Sequence, residues 1–289
     1  MKLIITEGFT EELTPDLKYY AFDWDDNLMY MPTKIMLMDS EGNEIGMGTE
    51  DFAEHRVDVG KKDFEYKGKT IVGFAENPFR NFSDAGNKKF IIDSLLAKPG
   101  PAWDDFVECV NGGSIFSIIT ARGHSPETLK QSIENLIEIG YKGLSKKELV
   151  RNLKKYREIA GEDELSDSEL VEYYMSMNKY YPVTYGAGSA QNPEQGKVDA
   201  IKEFQRYVMS MSKKLGQTPY LKNDVSNKFV PTIGFSDDDL RNLEKMKSAL
   251  KDDPENIVQM YSTHGGIKKK YWYNYIGKTS VSLIKKKWK

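Results

Sequence analysis

Short apolar runs that break off in polar residues, each followed by the periodicity of an amphipathic helix, constrain this chain more than any other feature. Residues 114–119 are apolar and β-branched and follow Gly112 and Gly113. Ser125 then stands as a helix N-cap with Pro126 in the first turn, and Leu129, Ile133, Leu136 and Ile137 recur on one face until Gly140. Residues 19–22 form a second apolar run, 230–235 a third in spite of Pro231, and 257–261 a fourth. A helix carrying Leu240, Leu243, Met246 and Leu250 separates the last two. Strands alternating with helices predict an α/β fold: a Rossmann-like parallel sheet with helices on both faces.

Two stretches depart from that alternation. Residues 34–39 and 43–47 flank a Ser40-Glu41-Gly42 turn and read as a hairpin, so 31–99 is expected to be a small cap-like insertion. Around 145–180 the pattern is helical, with Ser145 and Glu148, then Ser166 and Glu169, as capping boxes. This second stretch is expected to be a helical insertion. The core would then comprise residues 1–30 and 100–289.

Composition narrows the function classes. With 289 residues, of which 39% are hydrophobic, the chain can fill a sizeable core. No run of 18 apolar residues occurs, so no membrane partner is expected. The first seven residues lack the apolar stretch of a secretory signal, and a cytoplasmic protein is expected. A single cysteine, Cys109, with only His55, His124 and His264, argues against a disulfide scaffold or a zinc enzyme. The net charge of −3 hides an asymmetry: residues 268–289 hold eight lysines and no acid, leaving −11 on the rest.

The chemistry is concentrated at the ends of the apolar runs. Phe22-Asp23-Trp24-Asp25-Asp26-Asn27-Leu28 sets carboxylates two apart directly after a strand, where open α/β sheets bind ligands. Thr120 ends the 114–119 run and leads into Ala121-Arg122-Gly123. Lys197 opens a helix with Val198, Ile201 and Phe204, and Gly234-Phe235-Ser236-Asp237-Asp238-Asp239 ends another strand in acid. Each has a plain structural reading: an acidic turn, a helix N-cap at Thr120, a solvated lysine, and an N-cap cluster at 237–239.

In the order acid pair, threonine, lysine, acid pair, these motifs resemble the haloacid dehalogenase (HAD) superfamily of phosphatases. The resemblance spans four short motifs between Tyr19 and Leu243. Asp26 and Asn27 stand where that family usually has glycine and threonine, although both residue types tolerate unusual turn dihedrals. The resemblance implies a Mg²⁺-dependent phosphomonoester hydrolase working through an aspartyl-phosphate. Asp23 would be the nucleophile and Asp25 the general acid and base. Thr120, Arg122 and Lys197 would bind the phosphoryl group, and Asp23, the Asp25 carbonyl and Asp237 or Asp238 would hold Mg²⁺.

The substrate is expected to be a nucleotide or a polynucleotide 3′-phosphate, with a sugar phosphate as the alternative. Arg56, Arg80, Phe74, Phe79 and Phe82 in the 31–99 stretch are candidates to meet it, or else simply cap core. A glycosyltransferase also uses a DxD, but it needs no ordered threonine and lysine, and a receiver domain carries its acids in a different order. A phosphotransferase and a non-catalytic nucleic-acid-binding protein on the same fold stay open. The tail interleaves lysines with Tyr271, Trp272, Tyr273, Tyr275 and Trp288, which fits nucleic-acid contacts or a final strand packed on the core.

Overall fold

Leu17–Phe22 (β1) is the central strand of the molecule, and its alternation supplies two cores at once. Tyr19 and Ala21 face one side of the sheet, and Phe22 packs on the other. The computed structural model describes residues 17–186, 192–215 and 231–273. Residues 1–16 and 274–289, the latter with most of the basic tail, lie outside the described residues, as does Val230.

In chain order β1 is followed by Met29–Tyr30 (β2), Ile35–Asp39 (β3), Glu44–Met47 (β4), Thr49–His55 (α1), Phe64–Tyr66 (β5) and Lys69–Phe74 (β6). Next come Asn87–Leu96 (α2), Lys98–Pro99 (β7), Trp103–Asn111 (α3), Phe116–Thr120 (β8), Pro126–Glu138 (α4), Lys146–Ala160 (α5) and Asp167–Met177 (α6). Lys179–Pro182 (β9), Pro193–Leu215 (α7), Pro231–Asp237 (β10), Leu240–Leu250 (α8), Val258–Ser262 (β11) and Lys269–Tyr273 (β12) complete the described chain. The main sheet runs β12-β11-β10-β1-β8-β9, with every pairing parallel except the antiparallel β11–β12 edge. The fold is α/β with a mostly parallel six-stranded sheet. No described helix is long and apolar enough to cross a membrane.

Helices cover both faces because the parallel strands are apolar on both. Phe22, Phe116 and Ile118 bury against Phe106 of α3, and Leu129 and Ile133 of α4. Ala21, Ile119, Ile233 and Phe235 bury against Ile201 and Phe204 of α7 and Leu243 and Met246 of α8. The caps follow the sequence signals. Ser125 accepts the Thr128 amide, Ser145 the Glu148 amide, and Ser166 with Glu169 forms a complete capping box.

The two departing stretches have different fates. Strands β3 to β6 form a separate antiparallel sheet in the order β4-β3-β6-β5 over its own core of Ile35, Leu37, Met47, Val59, Tyr66 and Ile71. The β2–β7 ribbon, with Met29 opposite Pro99 and Tyr30 opposite Lys98, joins its entry to its exit. Within 31–99, however, α2 packs on α4 and sends Phe90 into the main core. Packing also draws α5 and α6 into the body: Leu149, Leu153, Leu170 and Tyr174 join that core, and the segment delivers β9 to the sheet edge. The described part of the tail is an edge strand. Tyr271 and Trp272 pack against the core, and Lys268 pairs with Asp105.

Candidate active site

Strand order brings the sequence-distant motifs to one sheet edge. β1 lies between β10 and β8, with Phe22 in register with Ser236 on one side and Ile118 on the other. Asp23 and Asp237, the next residues, and Thr120, two residues past Ile118, therefore come to the carboxyl ends of three adjacent parallel strands.

Asp23, Asp237 and Asp238 place carboxylate oxygens within 4.8 Å of one another. Between the acids stands the buried ammonium of Lys197, 2.9 Å from Asp23 Oδ2 and 2.7 Å from Asp237 Oδ2. Lys197 lies in the second turn of α7, whose approach depends on Gly196. A Cβ there would meet Val183 Cβ at 2.7 Å. Burial works to lower the Lys197 pKa, but Asp23 and Asp237 outweigh it and hold the ammonium above its ordinary value. Asp23 is pushed up to about 8, chiefly by burial and then by the charges of Asp237 and Asp25 working against Lys197. Asp238 is also raised, by burial and by Asp237 and Asp23.

The hydrogen bonds separate the neighbouring acids. Asp237 Oδ1 accepts from the Asp239 amide and from Asn242, and its Oδ2 accepts from Lys197 and Asn242. Asp239 accepts the Arg241 amide and caps α8. Asp238 takes part in none of these bonds, and Asp23 Oδ1 is buried without a hydrogen-bond partner among the described residues. The set fits a hard divalent cation such as Mg²⁺. It offers oxygen ligands, an orphaned buried carboxylate oxygen, and three carboxyl groups against one ammonium, two of them held above their ordinary pKa by burial and by neighbouring acids for want of a further cation.

Asp25 lies outside that acid cluster. Its carboxylate is gripped by Arg122, with Nε 2.8 Å from Oδ2 and an NH2 nitrogen 2.6 Å from Oδ1. The same guanidinium donates to Thr33 Oγ1 at 3.0 Å, meets His124 Nε2 at 3.3 Å, and lies over the rings of Phe82 and Phe90 at 4.7 and 4.9 Å. His124 is pushed down to about 4 by burial and by Arg122, so its neutral ring can accept from that arginine. Most of the Arg122 donors are therefore committed inside the protein, which leaves little for direct phosphate binding. Thr120 is buried at the floor of the cleft, and its hydroxyl accepts the Arg122 amide at 3.3 Å.

The two residues that depart from the HAD pattern are accommodated. Asp26 has φ +54, in the left-handed region, where aspartate is tolerated at a glycine position. Asn27 is fully buried and ties three strand ends together. Its Nδ2 donates to the Asp23 carbonyl at 2.9 Å and to Ser236 Oγ at 3.0 Å, and Thr263 Oγ1 donates to its Oδ1 at 2.8 Å.

A cleft of about 1070 Å³ opens over these groups and is walled on its far side by the 31–99 stretch. Arg56, Phe79 and Phe82 line it, whereas Phe74 does not and Arg80 pairs with Glu44 at the surface. Thr33, His124 and Asn242 were not legible as site residues. Thr33 lies 89 residues before Arg122, and no local spacing links them. His124, two positions after Arg122 at the end of a strand, was the one available signal.

Comparison with protein-family models, with curated proteins and with solved structures finds nothing that matches this chain.

Proposed function

We propose that the chain is a Mg²⁺-dependent phosphomonoester hydrolase of the HAD type that works through an aspartyl-phosphate. One observation carries this reading: a buried lysine bridges Asp23 and Asp237 at the carboxyl edge of a parallel sheet, with Asp238, Thr120 and an arginine-held Asp25 around it. A purely structural ion pair would not need a buried, unpartnered oxygen on a carboxylate that lines a large cleft.

In this reading an Asp23 carboxylate oxygen bonds to phosphorus as the ester P–O bond breaks, and Asp25 gives its proton to the departing alkoxide. Asp25 then takes a proton from the water that attacks the aspartyl-phosphate, which releases phosphate and restores both acids. The grip of Arg122 on both Asp25 oxygens suits the water-activating carboxylate; the acid form requires one oxygen to be released. Lys197 and Thr120 hold the phosphoryl oxygens and offset charge in the transition state. Asp23, Asp238 and the Asp25 carbonyl would hold Mg²⁺, with Asp237 oriented behind them by Lys197 and Asn242. Bound there, Mg²⁺ would supply positive charge that screens the nucleophile from the phosphate.

Release of inorganic phosphate from a panel of phosphomonoesters by the purified chain tests the reading, with and without Mg²⁺. Phosphate release that requires the metal and is lost in Asp23→Asn is the expected result. No hydrolysis of any ester, or undiminished hydrolysis by Asp23→Asn, overturns it.

A further inference from the structure

The walls of the cleft carry information about the leaving alcohol, on the premise that the phosphatase reading holds. Phe79 from the insertion and Tyr185 from the body both line the cleft, and both are large rings left more than two-fifths exposed. Phe79 does not stand by itself. It meets Phe52, Phe74 and Phe82 at ring separations of 5.7, 5.8 and 6.3 Å, so its position is fixed by packing while one side stays open. Exposed aromatic rings on the wall of a cleft offer planar apolar area that a flat ring can cover.

Where those rings stand implies a spacer. Asp25 is hydrogen-bonded to Arg122, Arg122 lies 4.7 Å from the Phe82 ring, and Phe82 in turn meets Phe79. Along this path a ring resting on Phe79 is separated from the acid by two side chains, which suits a ligand that carries a spacer between its ring and its phosphate. Asn77, Ser83 and Thr184 line the intervening wall with groups that can bond hydroxyls.

The charges on the described lining of the cleft weigh against a polyanion. Six aspartates line the cleft, whereas its cations are Lys197, Arg122 and Arg56. Each is already matched: Lys197 with Asp23 and Asp237, Arg122 with Asp25, and Arg56 with Glu194 and Asp239. A second phosphate would find no unpaired cation among the described lining residues and would meet carboxylates instead. We infer that the substrate is a nucleoside monophosphate, one phosphate joined through a sugar to a planar base lying between Phe79 and Tyr185, and not a polynucleotide end.

The full chain with Mg²⁺ is assayed on a nucleoside monophosphate, on ribose 5-phosphate and on a 3′-phosphorylated oligonucleotide. Base stacking on an aromatic side chain predicts kcat/KM on the order of tenfold higher for the nucleotide than for the sugar phosphate. Phe79→Ala and Tyr185→Ala should each lower that ratio several-fold, while the ring-keeping Phe79→Tyr and Tyr185→Phe preserve it and show that the fold tolerates change there. A ratio near one in the wild type, a ratio unmoved by both alanine variants, or preference for the oligonucleotide overturns the inference and leaves the phosphatase reading standing. If no ester is hydrolysed, calorimetry with the free nucleoside decides. Binding that weakens in both alanine variants upholds the ring site without the phosphatase, and no binding rejects it.

Discussion

Lys197 Nζ lies 2.7 Å from Asp237 Oδ2 and reaches Asp23 Oδ2 at 2.9 Å from the same buried position. One ammonium thereby holds two strand ends together against their mutual repulsion. Lys197→Met leaves those carboxylates without their cation, and removing one partner of a buried pair costs about 3–5 kcal/mol. The variant should unfold at lower urea than the wild type when EDTA is present, and Mg²⁺ should return part of the loss. Equal urea midpoints without metal would show that the bridge contributes nothing.

Asp237 and Asp238 should respond differently to loss of charge. Asp237 is tied on both oxygens, so Asp237→Asn should lower stability even without metal. Asp238 has no such ties, so Asp238→Asn should leave the metal-free protein as stable as the wild type or more so. Mg²⁺ at a hundred times its Kd stabilises a folded protein by about 2.7 kcal/mol. That gain should shrink in Asp238→Asn, as read by thermal unfolding with and without Mg²⁺.

Asp26 sets a pH dependence whose sign follows from its surroundings. Its carboxyl is pushed up to about 7, chiefly by burial and then by Asp25, and its Oδ2 is buried without a partner. In the unfolded chain an aspartate titrates near ~4. Between those values the folded state binds more protons, so this group's contribution is full below ~4 and is lost as pH rises through about 7. Asp26→Asn removes the titration and keeps a residue that accepts positive φ. Its stability advantage over the wild type should grow from pH ~4 to ~7 and level off on the order of 2 kcal/mol, after discounting for partial exposure. Urea titrations in EDTA across that range check it, and a constant difference at all pH values would contradict it.

Arg122 acts on Asp25 through a two-pronged grip that lysine cannot reproduce. Arg122→Lys should lower kcat/KM, which reports the ester-cleaving step, on the order of 10²-fold for poorly leaving alcohols, since a misplaced acid loses its geometry. The loss should be smaller for p-nitrophenyl phosphate, whose leaving group needs no proton. The same loss of kcat/KM on both esters would mean that Arg122 serves the phosphate itself.

Asp25→Asn should behave in parallel, lowering kcat/KM by about 10² to 10⁴ where the leaving oxygen must be protonated. Asp23→Asn should abolish turnover on every ester, with circular dichroism unchanged.

Much of the body was legible because its signals are local. An apolar run of five or six residues, a serine cap and a glycine stop act within one or two turns of chain, as at Ser125 and Gly140. The placing of Asp23, Thr120 and Asp237 at strand ends was equally local, since each directly follows or ends a buried run. The helices at 146–160 and 167–177 were legible as helices, but their membership in the main core was not. Amphipathic periodicity says that a face must be buried and leaves open against what.

The sequence by itself determined an alternating α/β chain with acids, a hydroxyl and a lysine at the ends of its apolar runs, because burial period and capping are written residue by residue. The tertiary structure decided that β1 enters between β10 and β8, which sets Lys197 between Asp23 and Asp237. It also decided that Arg122 grips Asp25 while touching Thr33 and Phe82 from the segments that lead into and out of the inserted sheet. Those contacts join residues tens to hundreds of positions apart. Strand order and the packing of one sheet over another select them, and no spacing along the chain encodes either.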